Sequence, residues 1–552
     1  MEHRFSKIRP QKWVQVGLLL AFCFVVFFLN LNQWDLWNPD EPRYGEIARE
    51  MLNRGDWILM HLNGERYGDK PPLFFWLVGL SSYLWNGFSS FAVRFPSAFF
   101  GTLTVLLTFL LGKRLYGPQT GFLSGLILAT SVEFAYLATR ANIDATLAFF
   151  TTAALFCFLE WHQDRKREGE KRKGLADLKI YGFYVSMAFA TLAKGPVGFI
   201  LPLMVSLIFL AVQKDWKEMR RMKLLTGMLL FLAIVLSWYV PAVFLGGRDY
   251  LQETLFKHTV DAYAKGWTHV RPMYYYLVNF PVDFLPWFLF LPAALVYGYR
   301  SFRKGNEKRE EFLFLFIWFA AIFLFFSFSK GKRAIYLLPL YPAASVMVGR
   351  VWEGFVFTPM ESLGHEWISF PIVGLAGVML IAGVGLPWVL SAKFPSYLSY
   401  GLPAAFFLVG GGVALYFLHR LKYQGAVFFL IAFIFAVGFF YTLRVVFPLV
   451  NPYKSARFIS QEITSRIQPG EKLGLYGGFG TGPFNFYTGI VPISELEGED
   501  ALADFLRSPE RKFCLIKSRD LAAFQRGEGR PAVQWIAQNR IGNNDISLIS
   551  NR

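Results

Sequence analysis

Long apolar runs recur along most of this chain, and they constrain its fold more than any other feature of the sequence. An α-helix needs roughly 17–25 predominantly apolar residues to cross a bilayer. Only 17% of the 552 residues are charged, whereas soluble proteins average about 25%. The runs predict a polytopic α-helical membrane protein with about thirteen transmembrane helices, at roughly 13–31, 93–112, 118–138, 141–162, 179–194, 196–213, 224–245, 274–299, 311–328, 334–349, 370–390, 402–418 and 424–446.

The net charge of +17 would suit a nucleic-acid-binding protein if the basic residues formed one patch. Instead, Lys and Arg stand in short clusters between apolar runs, as they do in the loops of membrane proteins. If the N-terminus is cytoplasmic, the loops assigned to that side, such as 163–179 and 214–223, are the richest in Lys and Arg. This pattern excludes nucleic acid as a partner and predicts that the residues after about 450 lie on the opposite, outer side.

The first apolar run, about 13–31, follows a basic leader and has no small-residue cleavage site. We therefore interpret it as a membrane anchor and not as a cleaved signal peptide. The three cysteines are far apart in sequence, and they indicate neither a disulfide framework nor a Cys-rich metal site; they are Cys23, Cys157 and Cys514.

One apolar stretch, Leu73 to Trp85, is too short for a typical span, and two prolines precede it. Counting it as a crossing would place the basic segment 163–179 on the outer side, against the charge rule. We interpret it as a helix along the membrane surface, so that residues 32–92 form one large outer loop. A short true span remains the alternative.

The composition becomes polar after about Asn451, with Gly-rich turns and only short apolar runs. We therefore expect two domains: a transmembrane domain at 1–450 and a small α/β domain at 451–552 on the outer face. The run Gly477–Gly482 resembles a phosphate-binding loop only loosely, because it lacks the Gly-Lys-Ser/Thr ending. We interpret it as a turn.

Basic residues on the outer side run against the charge rule and therefore need a reason. The loop Ser329–Arg333 carries three of them between two very hydrophobic helices, and two more candidates lie near other helix ends; the five are Lys70, Arg271, Lys330, Lys332 and Arg333. Lys and Arg form charge-assisted hydrogen bonds with phosphate. We interpret the set as a phosphate site; the alternative is binding of ordinary lipid headgroups.

Acidic residues on the same side are the candidates for proton transfer. Asp40 and Glu41 are adjacent, and capping a helix would use one of them and leave the other for chemistry. Asp144 stands at the outer start of a helix, where it either pairs with Arg140 or stabilises the helix N-terminus. Asp40 and Glu41, together with Arg43, Tyr44 and Tyr67, predict a catalytic rim along the first outer loop.

A divalent metal is a further possibility at this rim. His258 could join Asp69 as a ligand, since histidine and carboxylate suit zinc and also manganese or magnesium. Two ligands are fewer than a closed site needs. No organic cofactor is expected.

The motifs resemble one family. Asp40-Glu-Pro-Arg-Tyr44 followed by Arg66-Tyr-Gly-Asp-Lys-Pro-Pro72 resembles the lipid A aminoarabinose transferases and, more distantly, the protein O-mannosyltransferases. The resemblance covers about residues 10–350. The later landmarks that agree with it are Lys194-Gly-Pro196, Phe256-Lys-His258, His269-Val-Arg-Pro272 and Ser329-Lys-Gly-Lys-Arg333 before Tyr336. Both groups share the GT-C glycosyltransferase fold.

The resemblance implies a glycosyltransferase of a bacterial inner membrane with a periplasmic active site. Its donor would be a sugar on undecaprenyl phosphate, and its acceptor a lipid or glycan, most simply lipid A. Asp40 matches the family's catalytic acid and Asp144 a second outer acid, while Lys70 and Tyr336 match residues near the carrier phosphate. Asp69 and His258 match residues associated with zinc, although Asp69 replaces a longer glutamate.

Two alternatives stay open at this point. One is transfer to protein hydroxyl groups within the same fold. The other is a transporter or flippase of lipid-linked sugars, although transporters usually show internal repeats and sites near mid-membrane. The expected partners are the polyprenyl-phosphate sugar donor, the acceptor and membrane lipids, and the expected state is a monomer.

Overall fold

The computed structural model describes residues 12–168, 173–252, 254, 269–304, 308–357 and 364–552. The chain divides into two compact units. The first unit comprises Met1–Asn30, Asp69–Pro71 and Ser97–Thr442. The second comprises Leu31–Gly68, Pro72–Pro96 and Leu443–Arg552. The division of the chain into a transmembrane domain at 1–450 and a small domain at 451–552 stays a prediction.

The first unit is built from helices, as its apolar runs predict. They are Lys12–Cys23, most of Ser90–Tyr116, Pro118–Ala129, Val132–Ala138, Ile143–Glu168, Lys173–Lys194, Val197–Val212, Trp216–Arg221, Leu224–Leu251, Tyr275–Asp283, Leu291–Arg303, Arg309–Phe328, Tyr341–Val356, Glu366–Lys393, Leu398–Arg420 and Gln424–Tyr441. Shorter 3₁₀ or π turns join some of them at Phe24–Phe28, Trp287–Phe290, Ala334–Leu340, Pro395–Tyr397 and Thr442–Val446.

Eight helices in the described part of the chain are long and apolar enough to cross a membrane, and up to ten if each bent pair is one span. Several of them present large apolar side chains outward; Phe370 and Phe406 are 83% and 82% exposed. Such surfaces suit a lipid environment and would be unfavourable in water. The coarse prediction of a polytopic helical membrane protein therefore holds, while the number thirteen stays a prediction.

Two of the predicted spans are not straight helices. Residues 118–138 form Pro118–Ala129 and Val132–Ala138, which meet at a bend of 71°. The stretch 274–299 contains Tyr275–Asp283 and Trp287–Arg303, bent by 108°. Hydropathy measures how apolar a run is and carries no information about its direction. Helix breaks inside such runs are therefore invisible to it.

Close helix packing in the first unit depends on small residues. A β-carbon added to Gly112 would lie 2.9 Å from the Cα of Gly121, and one added to Gly121 would lie 2.4 Å from the carbonyl oxygen of Phe109. Glycine lets these backbones approach to a distance that other residues would prevent, as is common between membrane helices.

An ion-pair network closes one end of the neighbouring helices Ile143–Glu168 and Lys173–Lys194. Asp164 binds Lys179 at 2.5 Å and Arg114 at 2.6 Å, and Glu160 binds the same two cations at 2.7 Å each. Asp144 stands twenty residues before Asp164, so it lies about 30 Å away along the helix. This spacing matches the hydrocarbon thickness of a bilayer.

The second unit combines the first predicted outer loop with the C-terminal residues. Its helices are Asp40–Arg54, Leu73–Leu84, Phe447–Lys454, Arg457–Thr464, Gly482–Thr488, Glu499–Leu506 and Ser518–Phe524. A small antiparallel hairpin, β1 (His61–Leu62) and β2 (Glu65–Arg66), follows the first of them. The helix predicted at Leu73 is present, and its position along a membrane surface stays a prediction.

A five-stranded sheet forms most of the C-terminal part. Its strands are β3 (Lys472–Tyr476), β4 (Ser494–Leu496), β5 (Lys512–Lys517), β6 (Gln534–Ile541) and β7 (Asn544–Ser550), in the order β4-β3-β5-β7-β6. The first three are parallel, with Gly474 opposite both Ser494 and Cys514, whereas β7 is antiparallel to β5 and β6. The three cysteines are free thiols.

Candidate active site

The helix Asp40–Arg54, hereafter the loop helix, presents the first predicted catalytic residue. Its first turn contains two acidic residues, which the helix dipole favours. It ends at Gly55, whose φ of 68° suits a left-handed C-cap. The carboxylate of Asp40 accepts a hydrogen bond of 2.8 Å from Arg43, one turn along, and both side chains remain partly exposed.

Glu41 has a different environment from its neighbour. It is fully buried, and its two oxygens accept hydrogen bonds from Arg94 at 2.7 and 3.0 Å. The backbone N–H of Trp37 adds a third at 3.0 Å. Arg94 is itself buried, lies over the ring of Trp34 at 4.0 Å and donates to three backbone carbonyls, those of Leu31, Trp34 and Asp35. This geometry favours a structural role for Glu41 over the predicted role in substrate binding.

Tyr44 and Tyr67 pack into an aromatic cluster. The ring of Tyr44 meets Phe74 and Phe75 edge-on at 5.6 and 5.9 Å, and Tyr67 meets Phe75 at 5.9 Å. Arg43 lies over the ring of Tyr44 at 5.4 Å. The cluster fixes the loop helix against the helix Leu73–Leu84 and holds Arg43 beside Asp40.

In the first unit, five residues from four segments of the chain form what we call the charged cluster; they are Lys70, Asp144, Lys194, Arg333 and Tyr336. Asp144 and Lys194 form an ion pair in which both side chains are almost buried. The ammonium of Lys194 lies 4.2 Å from the centre of the Tyr336 ring. Lys70 and Arg333 are near enough for their charges to act on Lys194.

Asp144 begins one helix, and Lys194 ends the helix that packs against it. Arg140, the predicted partner of Asp144, donates to the hydroxyl of Tyr136 at 2.5 Å, and its pairing with Asp144 stays a prediction. Lys194 is the functional candidate that sequence reasoning missed. The sequence analysis named it only within the landmark Lys194-Gly-Pro196 and gave it no role, because a lysine in the last turn of a helix is adequately explained by the helix dipole.

Lys70 contacts the residue before it. Its ammonium donates to the carboxylate of Asp69 at 2.6 Å and to the carbonyl of the same residue at 3.1 Å. The predicted metal ligand Asp69 is therefore engaged by a cation. No group of three or more His, Cys, Asp or Glu among the described residues could hold a metal ion, and His258 lies outside them.

A short backbone pairing organises the basic loop Ser329–Arg333. Val270 pairs with Gly331 in an antiparallel bridge, the N–H of Arg271 donates to Lys330 at 3.3 Å, and that of Lys332 donates to His269 at 3.0 Å. The exposed side chains of Arg271 and Lys330 thus stand on residues that face each other across the bridge. Like charges in such positions repel unless an anion separates them.

Lys332 differs from its two basic neighbours. It is 4% exposed, and its ammonium donates to the carbonyls of Ser329 and Arg271. Burial lowers the pKa of Lys332. The hydroxyl of Tyr276 donates to the carbonyl of Arg333 at 3.1 Å. Lys332 therefore stabilises the bridge and is less accessible to a ligand than Lys330.

Two acids that the sequence analysis did not select lie close to the charged cluster. Glu133 and Asp283 are near enough for their charges to act on one another, and Glu133 also feels Asp144 and Arg333. The N–H of Val132 donates to the carbonyl of Leu285 at 3.0 Å, which ties their two segments together. Both stand next to breaks in bent helix pairs, which hydropathy does not reveal.

The structure therefore brings together the predicted residues of the first unit, and separately those of the loop helix. The predicted roles of all of them in catalysis and substrate binding stay predictions.

Residues 13–253 match a family model described as dolichyl-phosphate-mannose-protein mannosyltransferase. An undecaprenyl phosphate-alpha-4-amino-4-deoxy-L-arabinose arabinosyl transferase of Pectobacterium atrosepticum is 34% identical over 67% of this chain and 65% of its own length. A protein of Proteus mirabilis with the same name, numbered 2, is 34% identical over 70% of this chain and 67% of its own length. The matched part thus spans about two thirds of these relatives.

The fold has a solved counterpart. The crystal structure of ArnT from Cupriavidus metallidurans bound to undecaprenyl phosphate superposes with a TM-score of 0.81 over 98% of both chains, at 21% sequence identity. This similarity extends through the C-terminal sheet and confirms the GT-C-like fold class. At 34% identity over 67% of the Proteus mirabilis protein, the chain belongs to the family of undecaprenyl phosphate-alpha-4-amino-4-deoxy-L-arabinose arabinosyl transferases, which confirms the family resemblance predicted from its motifs.

Proposed function

We propose that the protein transfers a sugar from an undecaprenyl phosphate carrier to an acceptor on the outer face of the membrane, most simply lipid A or a related glycolipid. The observation that carries this proposal is the charged cluster, in which Lys194 lies between Asp144 and the ring of Tyr336 with Lys70 and Arg333 nearby. Family membership supports the same donor class, since the relatives are named for it.

The excess of positive charge suits a phosphate leaving group. During transfer, the bond between the anomeric carbon and the phosphate oxygen breaks, and its electron pair stays on the lipid phosphate. Lys194, Lys70 and Arg333 would stabilise the negative charge that develops there. Electrostatic stabilisation of this kind is usually the largest single contribution to catalysis. Asp144 pairs with Lys194 and orients it in surroundings that are largely closed to water.

Asp40 would act on the acceptor side. An acceptor oxygen forms the new bond to the anomeric carbon, and a hydroxyl acceptor gives its proton to the carboxylate of Asp40. A phosphate acceptor is already ionised at neutral pH, so that Asp40 would then only orient it. Arg43, at 2.8 Å, holds the carboxylate in place.

Arg271 and Lys330 would form an anion site for a lipid-borne phosphate. Both are exposed, and the bridge between their segments holds them opposite each other. Exposed apolar side chains lie beside them in the chain, including Val270 at 60% and Met273 at 57%. Cations next to apolar surface suit the headgroup level of a membrane.

The finer architecture belongs to the same proposal. The chain would cross a bacterial inner membrane about thirteen times, with its N-terminus in the cytoplasm. Residues 32–92 and 451–552 would lie in the periplasm. The protein would act as a monomer. A divalent ion, most simply zinc, would be held by Asp69 and His258 and would add positive charge near Lys70. Zinc analysis of the purified protein and of Asp69→Asn tests that assignment.

The test of the function is transfer by purified protein reconstituted in liposomes, with radiolabelled undecaprenyl phosphate-linked aminoarabinose as donor and lipid A as acceptor. We expect Asp40→Asn to lower the turnover rate by a factor of about 10² or more, since general acid–base groups contribute typically 10²–10⁴-fold. Glu65→Gln, an exposed acid of the same loop, is the matched control.

A wild-type rate in Asp40→Asn would remove Asp40 from the chemistry. Label that appears on a serine or threonine peptide, and not on lipid A, would favour protein glycosylation, the second function that the mannosyltransferase family match supports. Movement of intact donor between leaflets without transfer would identify a transporter.

A further inference from the structure

The glycine-rich run after β3 has no part in the proposed chemistry, but it leads directly into a helix that contacts the loop helix. This helix, Gly482–Thr488, is hereafter the docking helix; both helices belong to the second unit. A β-carbon added to Gly482 would lie 3.2 Å from the Cβ of Arg43 and 3.3 Å from its Cα. Glycine therefore allows the start of the docking helix to touch Arg43, the residue that holds Asp40.

A second glycine completes the fit from the other side. A β-carbon added to Gly45 would lie 2.7 Å from the ring of Phe486 and 3.3 Å from Val93. The two helices thus meet through one glycine each, and Arg43 and Gly45 are two residues apart on the loop helix. Contacts this close leave little room for the loop helix to shift.

Arg49 joins the two helices further along. Its guanidinium donates to the carbonyls of Asn485 at 2.6 Å and Phe486 at 3.1 Å. These carbonyls lie in the last turn of the docking helix, where backbone acceptors are only partly satisfied by the helix itself. The carbonyl of Asn485 also accepts a hydrogen bond of 2.8 Å from the N–H of Gly489, which caps the helix. Arg49 also pairs with Glu46, which is fully buried.

Asn63 extends the contact to the hairpin of the first loop. The amide of Asn485 donates to the Asn63 side chain at 2.9 Å, and Asn63 exchanges two hydrogen bonds with the backbone of Ile493 at 2.6 and 2.9 Å. Glu50 of the loop helix accepts from the N–H of Asn63 at 2.6 Å. The docking helix thus contacts the loop helix at its start, through Gly482, and in its last turn, through Asn485 and Phe486.

We propose that the docking helix is a positioning element for catalysis: Gly482 and Arg49 fix the loop helix so that Arg43 holds Asp40 in its working position. The inference rests on the proposed role of Asp40. It gives the C-terminal sheet a function in the transfer reaction, namely to present a helix that sets the geometry of a residue about 440 positions earlier in the chain.

The test compares Gly482→Ala and Arg49→Gln with the wild type in the liposome assay. We expect kcat to fall by a factor of about 10–100 while KM for the donor changes little, because small displacements of a catalytic group cost up to about 10²-fold. Arg49→Lys keeps the charge but reaches fewer carbonyls, so it should recover part of the rate. Melting temperature and the amount of folded protein are measured alongside.

Two variants serve as matched controls. Gly438→Ala adds a methyl group where no atom lies within 4 Å. Arg507→Gln removes an arginine that holds the carbonyl of Gly529 within the C-terminal part. Both should keep wild-type kcat. A further readout is amide hydrogen exchange, which should speed up in the loop helix of Gly482→Ala.

The outcomes separate this inference from the proposed function. If Asp40→Asn is inactive while Gly482→Ala and Arg49→Gln keep wild-type kcat, the positioning role is wrong and the function stands. If Asp40→Asn keeps the wild-type rate, the proposed role of Asp40 is wrong, and the positioning role that rests on it is wrong as well. A fall in kcat that merely equals the loss of folded protein, with no partial recovery in Arg49→Lys, also overturns the inference.

Discussion

Asp40 and Glu41 are neighbours in the sequence, yet the fold gives them opposite environments. Asp40 is partly exposed beside Arg43, whereas Glu41 is buried against Arg94. A helix places successive residues about 100° apart, so one carboxylate faces outward and the other inward. The motif alone predicts that one acid is structural and that the other takes part in chemistry. Which is which follows only from the packing of Arg94.

We expect Glu41→Gln to destabilise the protein, because it leaves the buried guanidinium of Arg94 without its counter-charge. Removing one partner of a buried ion pair costs about 3–5 kcal/mol. Thermal denaturation in detergent measures the effect, with Asp40→Asn as the comparison at a partly exposed acid. Equal melting temperatures for the two variants would contradict the structural role of Glu41.

Glu46 should make stability depend on pH. Burial raises the pKa of Glu46 to about 7, with Arg49 opposing the shift and Glu50 adding to it. The folded protein then binds this proton more tightly than the unfolded chain, whose glutamate titrates near 4.5. The free energy of unfolding should therefore fall as pH rises from about 4.5 to about 7 and level off above.

Denaturation of wild type and Glu46→Gln at pH 5, 6, 7 and 8 tests this dependence. The glutamine variant should lack the decline and gain stability relative to wild type at pH 8. Glu65→Gln, at an exposed site of the same loop, should follow the wild-type curve. A decline that persists unchanged in Glu46→Gln would assign it to another group.

At the residue scale, the sequence was informative where a motif spans several adjacent positions. Asp40, Lys70 and Asp144 were selected from such motifs, and their roles stay predictions for the assays above. Lys194 was missed because its partner is 50 residues away and its own position looks like an ordinary helix end. The burial of Lys332 was also unpredictable, since the sequence shows only three cations in one loop.

At the scale of elements, the helix pair Ile143–Glu168 and Lys173–Lys194 is fixed by ion pairs at both ends. Asp164 binds Lys179 at one end, and Asp144 binds Lys194 at the other. Such pairs set the register of two apolar helices, whose lipid-like side chains would otherwise permit sliding. The same contacts that organise the charged cluster therefore also define the helix hairpin.

We expect Lys194→Met to lose both stability and transfer activity, since it leaves the carboxylate of Asp144 buried without a counter-charge. The cost should be about 3–5 kcal/mol. The double variant Lys194→Met with Asp144→Asn should recover most of the stability but no activity, as measured by thermal denaturation and transfer rate. Lys393→Met, an exposed lysine that ends another apolar helix, is the control.

Recovery of activity in that double variant would show that the pair serves the fold alone.

Among the elements, the sequence predicted the long helices well because length and apolarity are local properties. It did not predict the bends of 71° and 108°, because these depend on which neighbour each half packs against. Glu133 and Asp283 stand at those bends and were missed for the same reason.

At the scale of the whole molecule, the first outer loop and the C-terminal residues form one compact unit. The composition predicted a polar C-terminal domain but gave no sign of its contact with the loop. That contact consists of single hydrogen bonds between positions more than 420 residues apart, such as Asn63 with Asn485. No periodicity or motif encodes such a pairing in one sequence.

The contacts of Arg49 and Asn63 also set an order of events during synthesis. The ribosome makes the loop helix early, but the carbonyls and the amide that hold it appear more than 420 residues later. A nascent chain can insert its membrane helices long before that moment. The loop helix reaches its final contacts only when translation is almost finished.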